Sequence, residues 1–250
     1  MRISRLVLLH GFLGSPQTFD DVLAAIEPPP LALAPALYGH GGVREDQVER
    51  DFDAEVARLA QLIALKVSER PAHLVGYSLG ARLALALLAR APQCFGSATL
   101  VSGRRGLDSA DERQRRWNSD LQWAARLRSE PLSEFLDAWE SQAIFASLRD
   151  VDPVRLRRLR EQRLRHHPEG LARALLGLSL SKMPRFADEL CQVRVPVTIV
   201  AGALDPKFVA LGHDLLSRLP RSKMVVVQGS GHNVPIERPD AIAAAILEKG

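Results

Sequence analysis

The sequence predicts a single α/β domain built on a mostly parallel, doubly wound sheet. Along most of its 250 residues, short apolar runs alternate with segments of helical periodicity, which is the rhythm of repeated βαβ units. The apolar runs are bounded by turn residues and read as buried parallel strands. One long helical stretch interrupts the alternation and predicts a helical lid, inserted at about 104–182, within one domain spanning 1–250.

The individual elements follow from these two periodicities and from the Gly and Pro residues that end them. The apolar runs that predict strands are 6–9, 31–37, 73–75, 98–101, 197–200 and 224–227. The helices predicted outside the insertion are 18–26, 44–66, 83–89, 208–219 and 240–247. Within the insertion, Ser109 is predicted to cap a first helix, and further helices are predicted at 133–139, 154–164 and 170–180.

The segment that organises the chain is Val75-Gly76-Tyr77-Ser78-Leu79-Gly80-Ala81-Arg82. It contains G-x-S-x-G between a predicted strand and a predicted helix, which is the pattern of a nucleophile elbow. The small residues allow a tight turn that presents the serine hydroxyl next to amide donors at the helix N-terminus. Ser78 is therefore a candidate nucleophile or base, although an ordinary glycine-rich turn has the same five-residue pattern.

Two further segments supply the partners that such a serine needs. Asp205 follows the strand at 197–200, at the edge where open α/β sheets place their sites, and His232 lies in a loop after the last strand. The order Ser78, Asp205, His232 is that of the α/β-hydrolase triad, in which the acid orients the histidine and the histidine accepts the serine proton. Asp188 and Asp214 are alternative acids.

The loop His10-Gly11-Phe12 follows the first predicted strand. In α/β-hydrolases this loop supplies one amide of the oxyanion hole, and the residue after the nucleophile supplies the other. The backbone N–H groups of Phe12 and Leu79 are therefore predicted to point at one developing negative oxygen. The alternative for this short motif is a simple glycine turn.

Composition narrows the class of protein. Hydrophobic residues make up 46% and charged residues 25%, which is typical of a globular domain and not of a disordered chain. No apolar run is long enough to span a bilayer, and Cys94 and Cys191 have no metal-ligand spacing. We therefore expect buried, reduced thiols, no metal site, no membrane partner and a cytoplasmic location.

The net charge of +4 comes mainly from arginines between about Arg104 and Arg173. These arginines form no basic tract with interleaved aromatics, so nucleic acid is not the expected partner. Arg82 lies one turn into the elbow helix, and Arg116 and Arg160 lie in the insertion. Guanidinium groups near a nucleophile can bind the carboxylates of a substrate. The alternative is that these arginines lie on solvated helix faces, which we expect most clearly for Arg157 and Arg158.

Beyond these generic features, the chain resembles the 2-succinyl-6-hydroxy-2,4-cyclohexadiene-1-carboxylate (SHCHC) synthases of menaquinone biosynthesis, over nearly its whole length. The generic part of the likeness is the His10–Ser15 loop and the elbow with Arg82. The specific part lies in the insertion, which is the most variable region of this fold. The matching segments are Arg116–Asp120, Gln122–Ala124, Glu130–Leu132, Trp139–Leu148, Leu159-Arg160 and Gly231–Asn233.

The resemblance implies a lyase that eliminates pyruvate from a tricarboxylate cyclohexene without a metal or organic cofactor. It implies that Ser78, activated by His232 and Asp205, removes a ring proton, and that the Phe12 and Leu79 amides hold the enolate. It also implies that the carboxylates bind to arginines, and that aromatic residues line the site. The binding residues it implies are Arg82, Arg116, Arg160, Tyr77 and Trp139.

Some features leave alternatives open. Ala81 stands where many members of the family carry glycine. Arg104 and Arg105 lie on a loop that cannot be matched to the family residue by residue, and they either attract substrate or face water. The alternatives for Tyr77 and Trp139 are a packed core tyrosine and a residue that packs within the insertion. A carboxylesterase or carbon–carbon-bond hydrolase would use the same triad, and a non-catalytic binding protein would keep the fold. Either a monomer or a small homo-oligomer fits the sequence.

Overall fold

A computed structural model describes residues 5–41, 49–67, 71–186 and 189–248. Its centre is one six-stranded sheet in which every strand pair is parallel, in the order β2-β1-β3-β4-β5-β6. This confirms the predicted α/β-hydrolase type of fold, with a doubly wound parallel sheet. The strands are β1 (Arg5–Leu9), β2 (Leu31–Leu33), β3 (Ala72–Tyr77), β4 (Phe95–Val101), β5 (Val197–Gly202) and β6 (Ser222–Val227).

Helices cover both faces of the sheet because its strands are apolar on both sides. Along β1, Val7 and Leu9 belong to one buried cluster, while Leu6 and Leu8 belong to another on the opposite face. The helices that cover the sheet are α1 (Asp20–Ala24), α2 (Phe52–Lys66), α3 (Leu79–Arg90), α8 (Pro206–Leu216), α9 (Val234–Glu237) and α10 (Pro239–Leu247).

The predicted helical insertion lies between β4 and β5. It has its own small core, in which α4 (Ala110–Ser129) packs on α7 (Pro168–Gly177), and it shares that core with Leu13 of the loop after β1. The predicted cap at Ser109 is a capping box with Glu112, which fixes where α4 begins. The insertion contains α4 (Ala110–Ser129), α5 (Leu132–Glu140), a 3₁₀ segment (Ala143–Asp150), α6 (Pro153–Leu164) and α7 (Pro168–Gly177).

The structure differs from the predicted elements at their ends. The apolar run 31–37 forms only the three-residue strand β2, and helix α2 begins at Phe52, where Asp51 accepts a hydrogen bond from the amide of Ala54. The predicted start of that helix, at 44–48, lies outside the described residues. Helix α9 and the 3₁₀ segment of the insertion were not predicted, because both are too short to show a periodicity.

Two further observations concern the length of the helices and the exposure of the cysteines. Among the described residues, no helix combines the length and the apolar character that crossing a membrane requires. Cys94 is half-buried and Cys191 is exposed, so the expectation that both thiols are buried is wrong.

Candidate active site

Ser78 lies in a sharp turn between β3 and α3. Its φ is 52°, in the left-handed region that a non-glycine residue rarely adopts, and such strain is typical of residues held for function. Small neighbours make the turn possible. A Cβ on Gly76 would lie 2.5 Å from the carbonyl oxygen of Gly80, and one on Gly80 would overlap the carbonyl oxygen of Leu9. The elbow is thus pressed against the end of β1.

The hydroxyl of Ser78 faces His232, which in turn faces Asp205. The distance from Ser78 Oγ to His232 Nε2 is 3.1 Å, and that from His232 Nδ1 to Asp205 Oδ2 is 2.9 Å. Both His232 and Asp205 are buried. This is the geometry in which Asp205 holds the histidine tautomer whose Nε2 can accept a proton from the serine.

Asp205 is held in place by the helix that it begins. Its Oδ1 accepts a hydrogen bond of 3.2 Å from the amide of Phe208, so the acid also caps α8. Asp214, the alternative acid, instead pairs with Arg105 at 2.6 Å and with Arg218 at 3.0 Å. The other alternative, Asp188, lies outside the described residues.

Phe12 and Leu79, the two predicted oxyanion residues, line the same cleft as Ser78 and His232. The loop that carries Phe12 is fixed by a buried imidazole. His10 Nε2 accepts a hydrogen bond of 3.2 Å from the amide of Leu37, while Nδ1 lies 2.8 Å from the carbonyl oxygen of Gly11. Burial lowers the pKa of His10 to about 4, so the ring is neutral and makes one bond of each kind.

The cleft above the triad has a volume of about 210 Å³ and lies under the insertion. Its walls combine aromatic and apolar side chains with several cations, a composition that suits a small anionic ligand. The cationic residues that line it are Arg82, Arg104, Arg116 and Lys207.

Arg82 is the cation that the elbow helix α3 contributes. Its Nη1 donates a hydrogen bond of 2.9 Å to the carbonyl oxygen of Leu178. The pKa of Arg82 is lowered to about 9, with burial as the largest cause; the positive charges of Arg116 and Arg104 also lower it, and Asp120 opposes them. The depressed pKa means that this positive charge is under-compensated, and a bound anion would relieve it.

Arg116 is oriented by a buried carboxylate. Its Nε donates to Asp120 Oδ1 at 2.8 Å, and Asp120 Oδ2 accepts a bond of 2.6 Å from the Ser179 hydroxyl. Asp120 is 1% exposed, so this contact links α4 to the segment after α7 in a site protected from solvent. The side chain of Arg116 is therefore held at the cleft wall.

Of the two predicted aromatic residues, Trp139 lines the cleft and Tyr77 is not among its lining residues. The ring centroid of Trp139 lies 5.1 Å from that of Phe12 and 4.9 Å from that of Trp123, so Trp139 packs the insertion on the loop that carries Phe12. Tyr77 is buried beneath the triad, 5.7 Å from the His232 ring, and packs against Gly11. Burial raises the pKa of Tyr77 well above its ordinary value.

Arg160 lies outside this cleft in the structure. It lines an adjoining cavity of about 550 Å³, and it pairs with Asp137 at 2.8 Å and with Glu140 at 3.4 Å. Arg163 lies beside it, pairs with Glu140 at 2.7 Å, and has a buried Nε without a hydrogen-bond partner. Phe145 lines both cavities.

Sequence reasoning missed three residues of the site region. Lys207 lines the cleft two residues after Asp205, and Phe208 packs on His232 with ring centroids 4.4 Å apart. The signal for both was their nearness in sequence to the predicted acid. Arg163 had no such signal, because it is one of many arginines along α6.

The structure also shows where the two arginines left open above lie. Arg104 lines the cleft, whereas Arg105 pairs with Asp108 and Asp214.

In the part of the chain that the structure describes, no group of three or more His, Cys, Asp or Glu side chains is arranged to hold a metal ion. The residues around Ser78 are instead those of acid–base or nucleophilic chemistry.

Comparison with known proteins places this arrangement in a class. The model of the alpha/beta hydrolase family matches residues 6–245. The chain is 34% identical, over 248 residues, to the 2-succinyl-6-hydroxy-2,4-cyclohexadiene-1-carboxylate synthases of Yersinia pestis (strain Pestoides F) and of Yersinia pseudotuberculosis serotype O:3, covering 97% of this chain and 85% of each relative. The chain therefore belongs to the alpha/beta hydrolase family, and within it to the group of these synthases.

Solved structures agree with this assignment. The structure of MenH from S. aureus superposes with a TM-score of 0.92 at 27% identity, covering 99% of this chain and 93% of that chain. The enol-lactonase from Burkholderia xenovorans LB400 superposes with a TM-score of 0.81 at 20% identity, covering 98% of this chain and 90% of that chain. At that identity the second likeness concerns the fold alone.

Proposed function

We propose that this chain is an SHCHC synthase, a lyase of menaquinone biosynthesis that eliminates pyruvate from 2-succinyl-5-enolpyruvyl-6-hydroxy-3-cyclohexene-1-carboxylate. The observation that carries the proposal is the group of cations that surrounds a complete triad. Arg82, Arg104, Arg116 and Lys207 line one small cleft with Ser78 and His232. A substrate with three carboxylates complements this charge, whereas a neutral ester does not.

The triad acts in this proposal as a base. Ser78 Oγ takes the ring proton next to the succinyl ketone while its own proton passes to His232 Nε2, and Asp205 stabilises the imidazolium that forms. The amides of Phe12 and Leu79 hold the enolate oxygen. The electron pair then moves through the ring double bond and breaks the carbon–oxygen bond to the enolpyruvyl group, which leaves and takes up a proton to become pyruvate.

The insertion contributes binding and desolvation. The insertion presents the guanidinium group of Arg116, held by Asp120, and its segment after α7 holds Arg82 of α3 through the carbonyl of Leu178, while Trp139 packs on Phe12. We expect Arg82 and Arg116 to bind carboxylates directly. Arg160 lies at the adjoining cavity, and it reaches substrate in this proposal only when its pairs with Asp137 and Glu140 open.

A coupled assay tests the proposal. The enolpyruvyl precursor is made in situ by the enzyme of the preceding step, and pyruvate release is followed together with the ultraviolet absorbance of the new diene. We expect the wild type to accelerate both signals equally and Ser78→Ala to abolish the acceleration, by about 10³-fold or more as for other triads. A wild-type rate equal to spontaneous elimination would refute the assignment.

A hydrolase acting on an acidic substrate is the second candidate, because the same triad and oxyanion hole serve acyl transfer. Neutral p-nitrophenyl esters discriminate between the two. If the wild type shows no lyase activity, and Arg82→Ala and Arg116→Ala leave ester hydrolysis unchanged, the hydrolase interpretation replaces the lyase. The other parts of the proposal are a small-molecule substrate with no nucleic-acid partner, a cytoplasmic location and a monomer or small homo-oligomer.

A further inference from the structure

Glu237, at the end of α9, binds the loop that carries His232 at two backbone positions. Its Oε1 accepts a hydrogen bond of 3.0 Å from the amide of Asn233, and its Oε2 accepts one from the amide of Gly231. These two amides flank His232 on either side. One carboxylate thus satisfies both donors, and such charge-assisted bonds are stronger than neutral ones.

Two hydroxyl groups complete the environment of this carboxylate. Ser230 Oγ donates to Oε2 at 3.1 Å, and Ser147 Oγ donates to Oε1 at 3.1 Å. Ser230 belongs to the histidine loop itself, whereas Ser147 belongs to the 3₁₀ segment of the insertion. Glu237 therefore bonds the loop and the insertion at the same time.

The surrounding packing shows that the insertion rests directly on this loop. A Cβ on Gly231 would overlap Ser147 Oγ, so the absence of a side chain there allows the contact. Arg155 of α6 donates a bond of 3.1 Å to the carbonyl oxygen of Ile236, next to Glu237. Leu148 and Leu159 pack with Ile236 in a small apolar cluster.

The opposite side of the loop is held by a second residue. Ser102, at the end of β4, donates a hydrogen bond of 2.9 Å to the backbone carbonyl of His232. The backbone around His232 is thus bonded at three consecutive residues, by groups that touch none of the reacting atoms. The imidazole of His232 faces Ser78, and the backbone that carries it cannot move without breaking one of these hydrogen bonds.

From these contacts we infer that Glu237 is a positioning residue for His232, and that Ser147 ties this position to the insertion. The inference rests on the proposed function only for its kinetic consequence. A misplaced imidazole slows proton transfer, while the arginines that bind the carboxylates stay where they are.

Glu237→Gln is the decisive variant. An amide has one acceptor oxygen, so in either orientation its NH₂ group faces the amide of Gly231 or of Asn233. We expect kcat of pyruvate elimination to fall by about 10- to 100-fold, with KM within about twofold of the wild type.

Asp240→Asn is the matched control, because it removes a carboxylate three residues away whose partner is the exposed Arg238. We expect this variant to leave kcat unchanged.

A second readout does not depend on the substrate. The His232 Nδ1 proton, bonded to Asp205, is observed by NMR as a far-downfield resonance when it is protected from exchange. We expect Glu237→Gln to broaden or remove this resonance, and Asp240→Asn to preserve it. An unchanged resonance overturns the inference, whether or not kcat falls. If the wild type shows the resonance but no lyase activity, the proposed function fails and this comparison still decides the role of Glu237.

Single hydroxyl deletions decide the question if Glu237→Gln does not fold, as judged by circular dichroism. Ser147→Ala and Ser230→Ala each remove one donor from the carboxylate and leave both backbone bonds. We expect each to lower kcat by about two- to fivefold without a change in KM. Ser141→Ala, whose hydroxyl donates a hydrogen bond to the carbonyl oxygen of Ala138 in α5, is the control. Wild-type kcat in both test variants overturns the inference.

Discussion

Three buried histidines lie under the loop that carries Phe12. The ring centroids of His10 and His40 are 5.0 Å apart, and those of His40 and His166 are 5.6 Å apart. His40 Nε2 accepts a bond of 3.2 Å from the amide of Leu13, so it fixes the same loop as His10. Burial, as the largest cause, lowers the pKa of all three. The loop that carries Phe12 is therefore packed on rings whose surroundings favour the neutral form.

This cluster makes the folded state sensitive to acid. The pKa of His10 is about 4 in the folded protein, below its ordinary value of 6.5, so the unfolded chain binds more protons between these two pH values. The free energy of unfolding therefore rises with pH in this window. As the pH falls from 6.5 towards 4, His10 lowers the free energy of unfolding by about 3 kcal/mol.

His10→Asn tests this origin by thermal unfolding at pH 7.5 and pH 5. We expect the variant to be less stable at pH 7.5, because it cannot make both bonds of the imidazole, and to lose less stability than the wild type on acidification. His213→Asn, at an exposed histidine, is the control and should keep the wild-type difference between the two pH values. Equal losses in His10→Asn and wild type would contradict the assignment.

Helix α4 contains two arginine–carboxylate pairs with the same i,i+4 spacing but with different surroundings. Arg116 and Asp120 meet at the cleft, where Asp120 is almost fully buried, while Arg126 and Glu130 meet at the partly exposed end of the helix. Exposed pairs of this kind contribute little. The buried pair fixes the direction of Arg116, so we expect it to contribute to substrate binding more than to stability.

This difference predicts that Asp120→Asn raises KM by about tenfold, or ~1.4 kcal/mol, with a smaller effect on kcat, because a carboxylate-binding guanidinium loses its orientation. The matched variant Glu130→Gln removes the same charge from the same helix at the same spacing. We expect it to leave KM within about twofold of the wild type. Similar KM values in the two variants would show that Asp120 does not act through Arg116. Steady-state kinetics in the coupled assay make the comparison.

For the molecule as a whole, the uneven placement of charge is the main electrostatic feature. A net charge of +4 is modest, but Arg82, Arg104 and Arg116 lie together at the junction of the insertion and the sheet. Their mutual repulsion contributes to lowering the pKa of Arg82, and this repulsion is a free-energy cost that an anionic ligand removes. Ligand binding is thus expected to stabilise the folded state.

A thermal-shift experiment with 2-succinylbenzoate, a ring that carries a carboxylate and a succinyl group, measures this effect. At 100 times its Kd, a ligand stabilises the folded state by about 2.7 kcal/mol, which is a rise of several degrees in Tm for a domain of this size. We expect the rise in the wild type and a much smaller one in Arg82→Met. The dimethyl ester of the same compound is the uncharged control. An equal shift with the ester would mean that charge does not drive binding.

The sequence alone determined the α/β class, the elbow at Ser78, the chain order of the triad and the presence of a helical insertion. It did so because each of these rests on local information: apolar runs, periodicity, and glycines at turns where a side chain would collide with backbone. In the structure the three side chains lie within hydrogen-bonding distance of one another in series, with Asp205 and not Asp214 next to His232.

Only the tertiary structure decided which arginines meet at the cleft. Arg104, Arg116 and Arg160 are equally basic in the sequence, yet Arg160 pairs with Asp137 and Glu140 beside a separate cavity. The contacts of Glu237 were also invisible, because Ser147 lies 90 residues away from it along the chain. Which side chain faces which depends on how the insertion packs on the sheet, and that packing is set by long-range contacts that no local pattern records.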